Sequence, residues 1–362
     1  MQALVIGGTG PTGHFIVNGL IERGYQVAIL HTGNHEVDEI PDQVEHIHTN
    51  PFDDAQLRAA VGERTWDITI ATYGRLRRVA EIMRGRTGRF YSVGGGPAYR
   101  GYMNAEALWP YGMMVPVPED APKTRSETED GKGYRVLQSE AVVFDHHPDA
   151  THFRYPYIYG RYQIAPREWP IVKRVLDKRP FIVLPDAGLA LNHHGCAANM
   201  AHAVLLSVDH EATARGQIYN CGDEKVMSLK QVVQICAEAL DYDLEIISMP
   251  YDLAVCARPL MGQPWSAHRV FDLSKIKQDL GYRDIVDPVA GLTDAARWYV
   301  DNPIGEYGEK VLQDPFDYAA EDALVAAWHN LRAHMPQDLF QVTPGYTASY
   351  SGPGGSTRKA AW

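Results

Sequence analysis

The chain of 362 residues carries 34 Lys+Arg against 45 Asp+Glu, a formal net charge of −11, with 45% hydrophobic and 22% charged residues. This is ordinary globular usage rather than that of a disordered chain, and the acidic surplus disfavours nucleic acid or an anionic membrane as a partner, because a polyanion must be met by a basic surface. No stretch approaches the roughly 18 apolar residues of a membrane span, and the four cysteines show neither a CxxC pair nor dense spacing, so a soluble cytoplasmic protein with free thiols is expected.

The run ALVIG at the N-terminus is short and fully apolar, as in a buried parallel strand, and leads directly into GGTGPTG. Gly7, Gly10 and Gly13 recur every three residues, which suits a tight turn, close approach of backbone to a pyrophosphate, and packing of the next helix on the strand. Thr9, Pro11 and Thr12 complete this candidate cradle. The segment HFIVNGLIERG puts Val17, Leu20 and Ile21 on one helical face, and Gly24 can close it in a left-handed conformation. Such a helix start offers unpaired amides and a positive dipole end to phosphates. A second strand, QVAIL, follows, so strand, glycine turn, helix and strand arrive in the order of a doubly wound α/β fold that binds a dinucleotide.

After QVAIL the chain reads HTGNHE. His31 and Thr32 stand where a carboxylate would bond a ribose 2′-hydroxyl or an arginine would receive a 2′-phosphate. No carboxylate repels a phosphate at that point, and Thr32, Asn34, His35 and the Gly33 amide can donate to one, which favours NADP, with NAD as the alternative.

Further along, NPFDD (Asn50, Pro51), WDITIATYG (Thr72, Tyr73), RFYSVGG (Ser92), VPVPEDAP, GYRVLQSEAVV, RYPYIYG (Pro156, Tyr157) and GQIYNCGDEKVMSL follow one another. Together with GGTGPTG, this series resembles the extended short-chain dehydrogenase/reductase family of epimerase/dehydratase type, in an atypical branch, over about residues 1–300. The resemblance implies a Rossmann-type doubly wound parallel sheet with a smaller C-terminal substrate domain. It implies adenine contacts at Asn50 and Pro51, ribose contacts near Thr72 and Tyr73, a nicotinamide contact at Tyr157, a catalytic serine or threonine near Ser92, and a homodimer.

The departures concern catalysis. The family's tyrosine and lysine, four residues apart on one helical face, are matched by Tyr134 and Gln138, and glutamine cannot supply the charge that lowers a phenol's pKa from about 10. Aligning on Glu140 instead moves Lys132 into the tyrosine's place; neither register restores the pair. SVGGGPAY puts Gly94, Gly95 and Gly96 where a hydroxyl donor is expected. Tyr134 and Ser92 remain the candidate catalytic groups.

Beyond RYPYIYG, WPIVKRVLDKRPFIVLP suggests a helix with Trp169, Val172, Val175 and Leu176 on a face, then a strand. His193 and His194 are adjacent, without an HExxH or cysteine cluster, so no metal site is expected. SLKQVVQICAEAL suggests a helix capped by Ser228. The expected organisation is a dinucleotide-binding domain over 1–160 completed by about 190–225, a substrate domain over 161–189 and 226–340, and a tail over 341–362 that lies across its own chain or a partner subunit. Tyr99, Tyr102, Met103, Trp109, Met113, Met114, Tyr157, Trp169 and Trp265 are candidates for the pocket and favour a bulky apolar or aromatic substrate; Arg161, Arg167, Lys173, Arg174 and Arg258 leave a sugar nucleotide open. The leading expectation is an NAD(P)-dependent oxidoreductase acting on a hydrophobic carbonyl or alcohol. The alternatives are an epimerase, dehydratase or lyase that does not consume its cofactor, and a non-catalytic cofactor-binding protein.

Overall fold

A computed structural model describes residues 1–72, 74–336, 339–342 and 344–345. Tyr73 and most of the 341–362 tail lie outside the described residues. The chain divides into two compact units, Met1–Pro315 and Phe316–Trp362.

In the first unit the elements run β1 (Gln2–Ile6), α1 (Gly13–Glu22), β2 (Gln26–His31), β3 (Glu45–His48), α2 (Asp54–Val61), β4 (Trp66–Ala71), α3 (Leu76–Met83), β5 (Thr87–Gly95), α4 (Gly131–His146), β6 (Thr151–Tyr155) and β7 (Tyr157–Tyr159). They continue with α5 (Trp169–Leu176), β8 (Phe181–Pro185), β9 (Leu191–Asn192), β10 (His194–Cys196), α6 (Ala197–Asp209), α7 (Glu211–Ala214) and β11 (Ile218–Asn220). The last are β12 (Met227–Ser228), α8 (Leu229–Ala239), β13 (Glu245–Met249), α9 (Arg258–Met261), α10 (Ser274–Leu280), α11 (Pro288–Asp301) and α12 (Glu306–Leu312). The second unit holds α13 (Tyr318–Ala333), capped by the Asp317 side chain on the Ala320 amide.

Seven strands form one parallel sheet in the order β11-β6-β5-β4-β1-β2-β3. β1 shows why it lies near the centre. Its side chains alternate between two apolar layers, Ala3 and Val5 packing with α1 and α6, Leu4 and Ile6 with α2 and α3. A strand buried on both faces must be apolar throughout, which is what ALVI supplies. Each such Val, Leu or Ile contributes about 1.5–3 kcal/mol of burial. The winding reverses between β1 and β4, so a crevice opens outside their carboxyl ends. That is the Rossmann-type architecture expected from the glycine turn.

Local expectations are met at several element ends. Gly24 follows α1 with φ +81° and donates to the Ile21 carbonyl at 2.9 Å. Ser228 caps α8 in a reciprocal box with Gln231. On α5 Trp169, Val172 and Val175 are buried but Leu176 is exposed, because the helix ends there and its last side chain passes the edge of the packing face. Cys196, Cys221 and Cys236 are free and buried, and Cys256 is half-buried. No helix among the described residues is long and apolar enough to cross a membrane.

Beyond the large sheet, β8 pairs with β13, β7 with β10, and β9 with β12, while α5, α8 and α11 pack on one another.

Candidate functional site

The glycine turn is shaped by contacts that admit no side chain. Gly7 has φ +95°, and its amide donates to Leu30 O at 3.0 Å, tying the turn to β2. A Cβ on Gly13 would stand 2.3 Å from the Gly8 carbonyl oxygen, so the helix start lies directly against the turn. At Gly10 the nearest atom to such a Cβ would be 3.6 Å away, leaving an open side for a ligand. Thr12 is the N-cap of α1 yet makes no side-chain capping bond, and the first turn holds no acidic residue. The helix therefore presents its positive end without a side-chain acceptor, the Gly13 amide alone being met by Gly10 O at 2.9 Å, and this suits a phosphate site. Thr9 and Thr12 are buried in the turn, and Pro11 is half-buried.

Thr72 joins this cradle: its amide and hydroxyl both donate to Ile6 O, at 3.0 and 3.1 Å. Pro51 is buried, and a Cβ on Gly74 would lie 3.2 Å from Pro51 Cβ, so the β3 and β4 exits touch. Asn50 is exposed and its Oδ1 already accepts from the Phe52 amide at 2.9 Å, which leaves its NH2 group free to meet a base. At the β2 exit Thr32 is exposed, whereas His31 is buried and turned towards His46 on β3, Nε2 to Nδ1 3.1 Å. These residues fit a dinucleotide laid from the glycine turn across the ends of β2, β1 and β4. A nicotinamide cofactor bound there would supply hydride acceptor and donor chemistry.

The reacting end differs from the sequence expectation. Ser92 is fully buried, and its hydroxyl is held 2.7 Å from His152 Nδ1, also fully buried. The Ser92 hydroxyl is thus directed into the interior between β5 and β6 and does not line the groove beside α4. Burial holds the His152 imidazole down at about 4, so it stays neutral at pH 7. The glycines that follow serve close packing: a Cβ on Gly94 would strike His152 Nε2 at 2.5 Å, and one on Gly96 would strike Phe271 at 2.4 Å.

α4 begins at the Asp130 cap, whose Oδ1 accepts from the amides of Lys132 and Gly133, both at 3.0 Å. The helix is pinned to the sheet by a buried ion pair. Arg154 on β6 donates to Glu140 through Nε at 3.0 Å and Nη2 at 2.7 Å, and through Nη1 to Tyr99 Oη at 2.9 Å and Glu119 O at 3.0 Å. With Glu140 facing inward, Lys132, Arg135, Val136 and Ser139 face a groove of about 940 Å³ whose other wall is α3 and whose end is Val93, Gly94 and Gly95. Tyr134 does not line this groove; it is half-buried two residues on, and Gln138 is exposed. The register set by Glu140 therefore brings Lys132, not Tyr134, to the carboxyl end of β5.

Lys132 is solvent-exposed at the groove mouth, yet the surrounding wall desolvates its ammonium and, with Arg167 nearby, holds its pKa below the ordinary lysine value against the pull of Asp130. Arg269 also acts on Lys132; it is buried and its own pKa is lowered to about 10. Arg167 lies over the Tyr157 ring at 4.0 Å. The Tyr157 hydroxyl donates to Ala165 O at 3.0 Å and accepts from the Arg167 amide, and burial raises its pKa far above the usual phenol. Tyr157 is thus a rigid support, its hydroxyl taken up by the backbone and its ring packed by Arg167 and His194.

The apolar pocket does not form as a set. Tyr99 and Trp169 are core residues at 0% and 3% exposure, whereas Trp109 and Met114 stand out at 95% and 82%. The physical reason is that Tyr99 is claimed by Arg154 and Asn220, while Trp109 and Met114 lie on a surface loop. Of the basic candidates, Arg161 pairs with Asp294 and Arg174 with Asp314. His193 bonds Asp223 O and the Phe271 amide through its two nitrogens, and His194 bonds Asn192 O, so both brace the loop. Arg269, which nothing local in the sequence singles out, is buried with its guanidinium 5.6 Å over the Tyr102 ring.

The topology and the switch-point crevice define a Rossmann-type doubly wound α/β fold, which solved nucleotide-sugar epimerases share. The UDP-glucose 4-epimerase of Thermotoga maritima, solved with UDP-glucose, superposes with a TM-score of 0.66 at 17% identity over 83% of this chain and 99% of that one. An epimerase from Methanothermobacter thermautotrophicus gives 0.67 at 15% identity over 87% and 94%. The Bordetella bronchiseptica enzyme WbmG, solved with NAD, gives 0.64 at 16% identity over 87% and 96%. No protein-family model matches the chain. A curated relative by sequence is the chloroplast stem-loop binding protein of 41 kDa b of Arabidopsis thaliana, 22% identical over 346 residues, covering 90% of this chain and 84% of the relative.

Proposed function

We propose that this chain is an NAD(P)-dependent enzyme that exchanges hydride between the nicotinamide and an alcohol or carbonyl carbon, with Lys132 in place of the usual tyrosine as the proton-exchanging group. The observation that carries this reading is the Glu140–Arg154 anchor, which fixes α4 so that Lys132 faces Gly94 and Gly95 at the end of β5. The depressed Lys132 pKa supports the role, because an amine nearer neutrality can take a proton from a hydroxyl and return it to a carbonyl oxygen. Tyr134 remains a second candidate, separable from Lys132 by substitution. The cations Arg75, Arg77, Lys132 and Arg135 lining the groove favour a substrate bearing an anionic group over a neutral aromatic one.

A second reading, epimerisation or dehydration without net cofactor consumption, is favoured by that same cationic groove, since several structural neighbours act on UDP-sugars. It is distinguished by substrate turnover with no build-up of reduced cofactor. NADP is preferred on the strength of Thr32, Asn34 and His35, all exposed at the β2 exit, and the assembly inferred is a homodimer. Titration calorimetry with the oxidised and reduced forms of both nucleotides tests the foundation: micromolar binding is expected, tighter for NADPH than NADH. An absence of heat with all four overturns the enzyme reading. Lys132→Met is expected to retain nucleotide binding within about threefold while losing at least 100-fold in turnover of an active alcohol.

A further inference from the structure

Three histidines and a glutamate converge at the outer edge of the sheet, where the sequence shows no metal motif. Parallel pairing of β2 with β3 sets His31 opposite His48, and the two-residue strand period puts His46 on the same face as His48. Glu36 enters from the β2–β3 connection. Its Oε2 lies 3.1 Å from His46 Nδ1, and its Oε1 lies 3.2 Å from His48 Nε2 and 3.8 Å from His31 Nε2. With the 3.1 Å separation of His31 Nε2 from His46 Nδ1, the four potential ligand atoms all lie within 4.8 Å of one another.

We propose that His31, Glu36, His46 and His48 form a binding site for a divalent first-row transition ion of the zinc type. Four ligands with metal bonds of about 2.0–2.1 Å, arranged tetrahedrally, stand roughly 3.3 Å apart. The contacts are close to that spacing, and small side-chain rotations complete it. The rings are oriented to suit: His31 and His46 meet at 74°, His31 and His48 at 86°, His46 and His48 at 87°, so three imidazole edges turn towards one another. Three imidazoles with one carboxylate select zinc, cobalt, nickel or copper over calcium or magnesium, which take oxygen ligands. Glu36 has no arginine or lysine partner among the described residues, so an ion would neutralise it. His31 is anchored by burial, while His46, His48 and Glu36 are open enough to admit an ion. The cost is the weak 3.3 Å contact from the Gly33 amide to His31 Nδ1, which must carry the proton once Nε2 holds metal.

The enzyme reading places no reacting group there, although the cluster adjoins the β2 exit where Thr32, Asn34 and His35 would receive the nucleotide, and the test reads metal binding by itself. The test uses the full-length protein stripped with a chelator, dialysed and titrated with cobalt chloride, followed by visible absorption and by competition with zinc. The expected result is one equivalent of cobalt with the intense visible bands of a tetrahedral ion, displaced by zinc, and a raised melting temperature. His46→Ala with His48→Ala, two exposed positions whose loss leaves the core intact, is expected to abolish the bands and weaken zinc binding at least 100-fold; Glu36→Gln is expected to weaken it about tenfold. Cobalt bands that persist in the double variant, or no saturable uptake of cobalt or zinc below 100 μM in the parent, overturn the proposal.

Discussion

Replacing Glu140 by alanine would leave the Arg154 guanidinium charged and 1% exposed, with Tyr99 Oη and Glu119 O as its remaining acceptors. Removing one partner of a buried pair costs about 3–5 kcal/mol, because the other charge stays desolvated and unpaired. At roughly 2.1 cal/mol/K of unfolding entropy per residue, a unit of this size loses about 1.5 °C per kcal/mol, so Glu140→Ala is expected to lower the melting temperature by roughly 5–8 °C. Replacing both partners, Glu140→Leu with Arg154→Met, removes the stranded charge along with its counterion and is expected to recover most of that loss. The assay is thermal melting at pH 7 followed by circular dichroism, with urea titration as a second measure. A fall of less than 2 °C in Glu140→Ala, or a double variant no more stable than the single one, would show that Arg154 is not left as a stranded charge. The same variants probe the active-site argument, since a loosened α4 no longer holds Lys132 at the end of β5.

Gly13→Ala forces a Cβ to 2.3 Å from a backbone oxygen and is expected to weaken nucleotide binding at least tenfold in calorimetry. Ser92→Ala removes a buried bond to His152 and is expected to cost about 1–2 kcal/mol, read as a melting shift of roughly 2–3 °C, with kcat/KM unchanged; a large catalytic loss would restore Ser92 to the reaction. Asp223 is raised from 3.8 to about 7 by burial, so the folded chain holds a proton that the unfolded chain releases, and this stabilisation is present below pH 4 and lost as pH rises through 7. Asp223→Asn removes that dependence. Its melting temperature relative to the parent is expected to climb by roughly 3–4 °C between pH 5 and 7.5 and then level off, and parallel pH curves for the two proteins would count against it.

The cofactor half of the molecule was readable because its signals are local: an apolar run, three glycines in step and an amphipathic helix are neighbours in the chain as they are in space. The reacting end was not, because two registers of α4 satisfied the helical pattern equally. What separates them is Arg154 reaching Glu140 from β6, a contact between a helix and a strand that no periodicity encodes. The Ser92 hydroxyl bonds His152, 60 residues away, another contact that no local pattern encodes. The histidine cluster was hidden by the same distance effect: EHIH carries a two-residue alternation, but only pairing with β2 brings His31 across from it. Trp109 and Tyr99, both aromatic and both near the expected cleft, parted company according to which of them found a buried polar partner.

The strand that completes the sheet is made late. β6 ends at Tyr155, and its neighbour β11 begins only at Ile218, about 60 residues downstream. On a ribosome adding roughly 5–20 residues per second, several seconds separate the emergence of the two. Throughout that interval Thr151–Tyr155 is an unpaired rim able to zip onto another nascent chain. A fragment cut after Tyr159 would carry that liability permanently, so expression of the nucleotide-binding half alone calls for a boundary beyond Asn220.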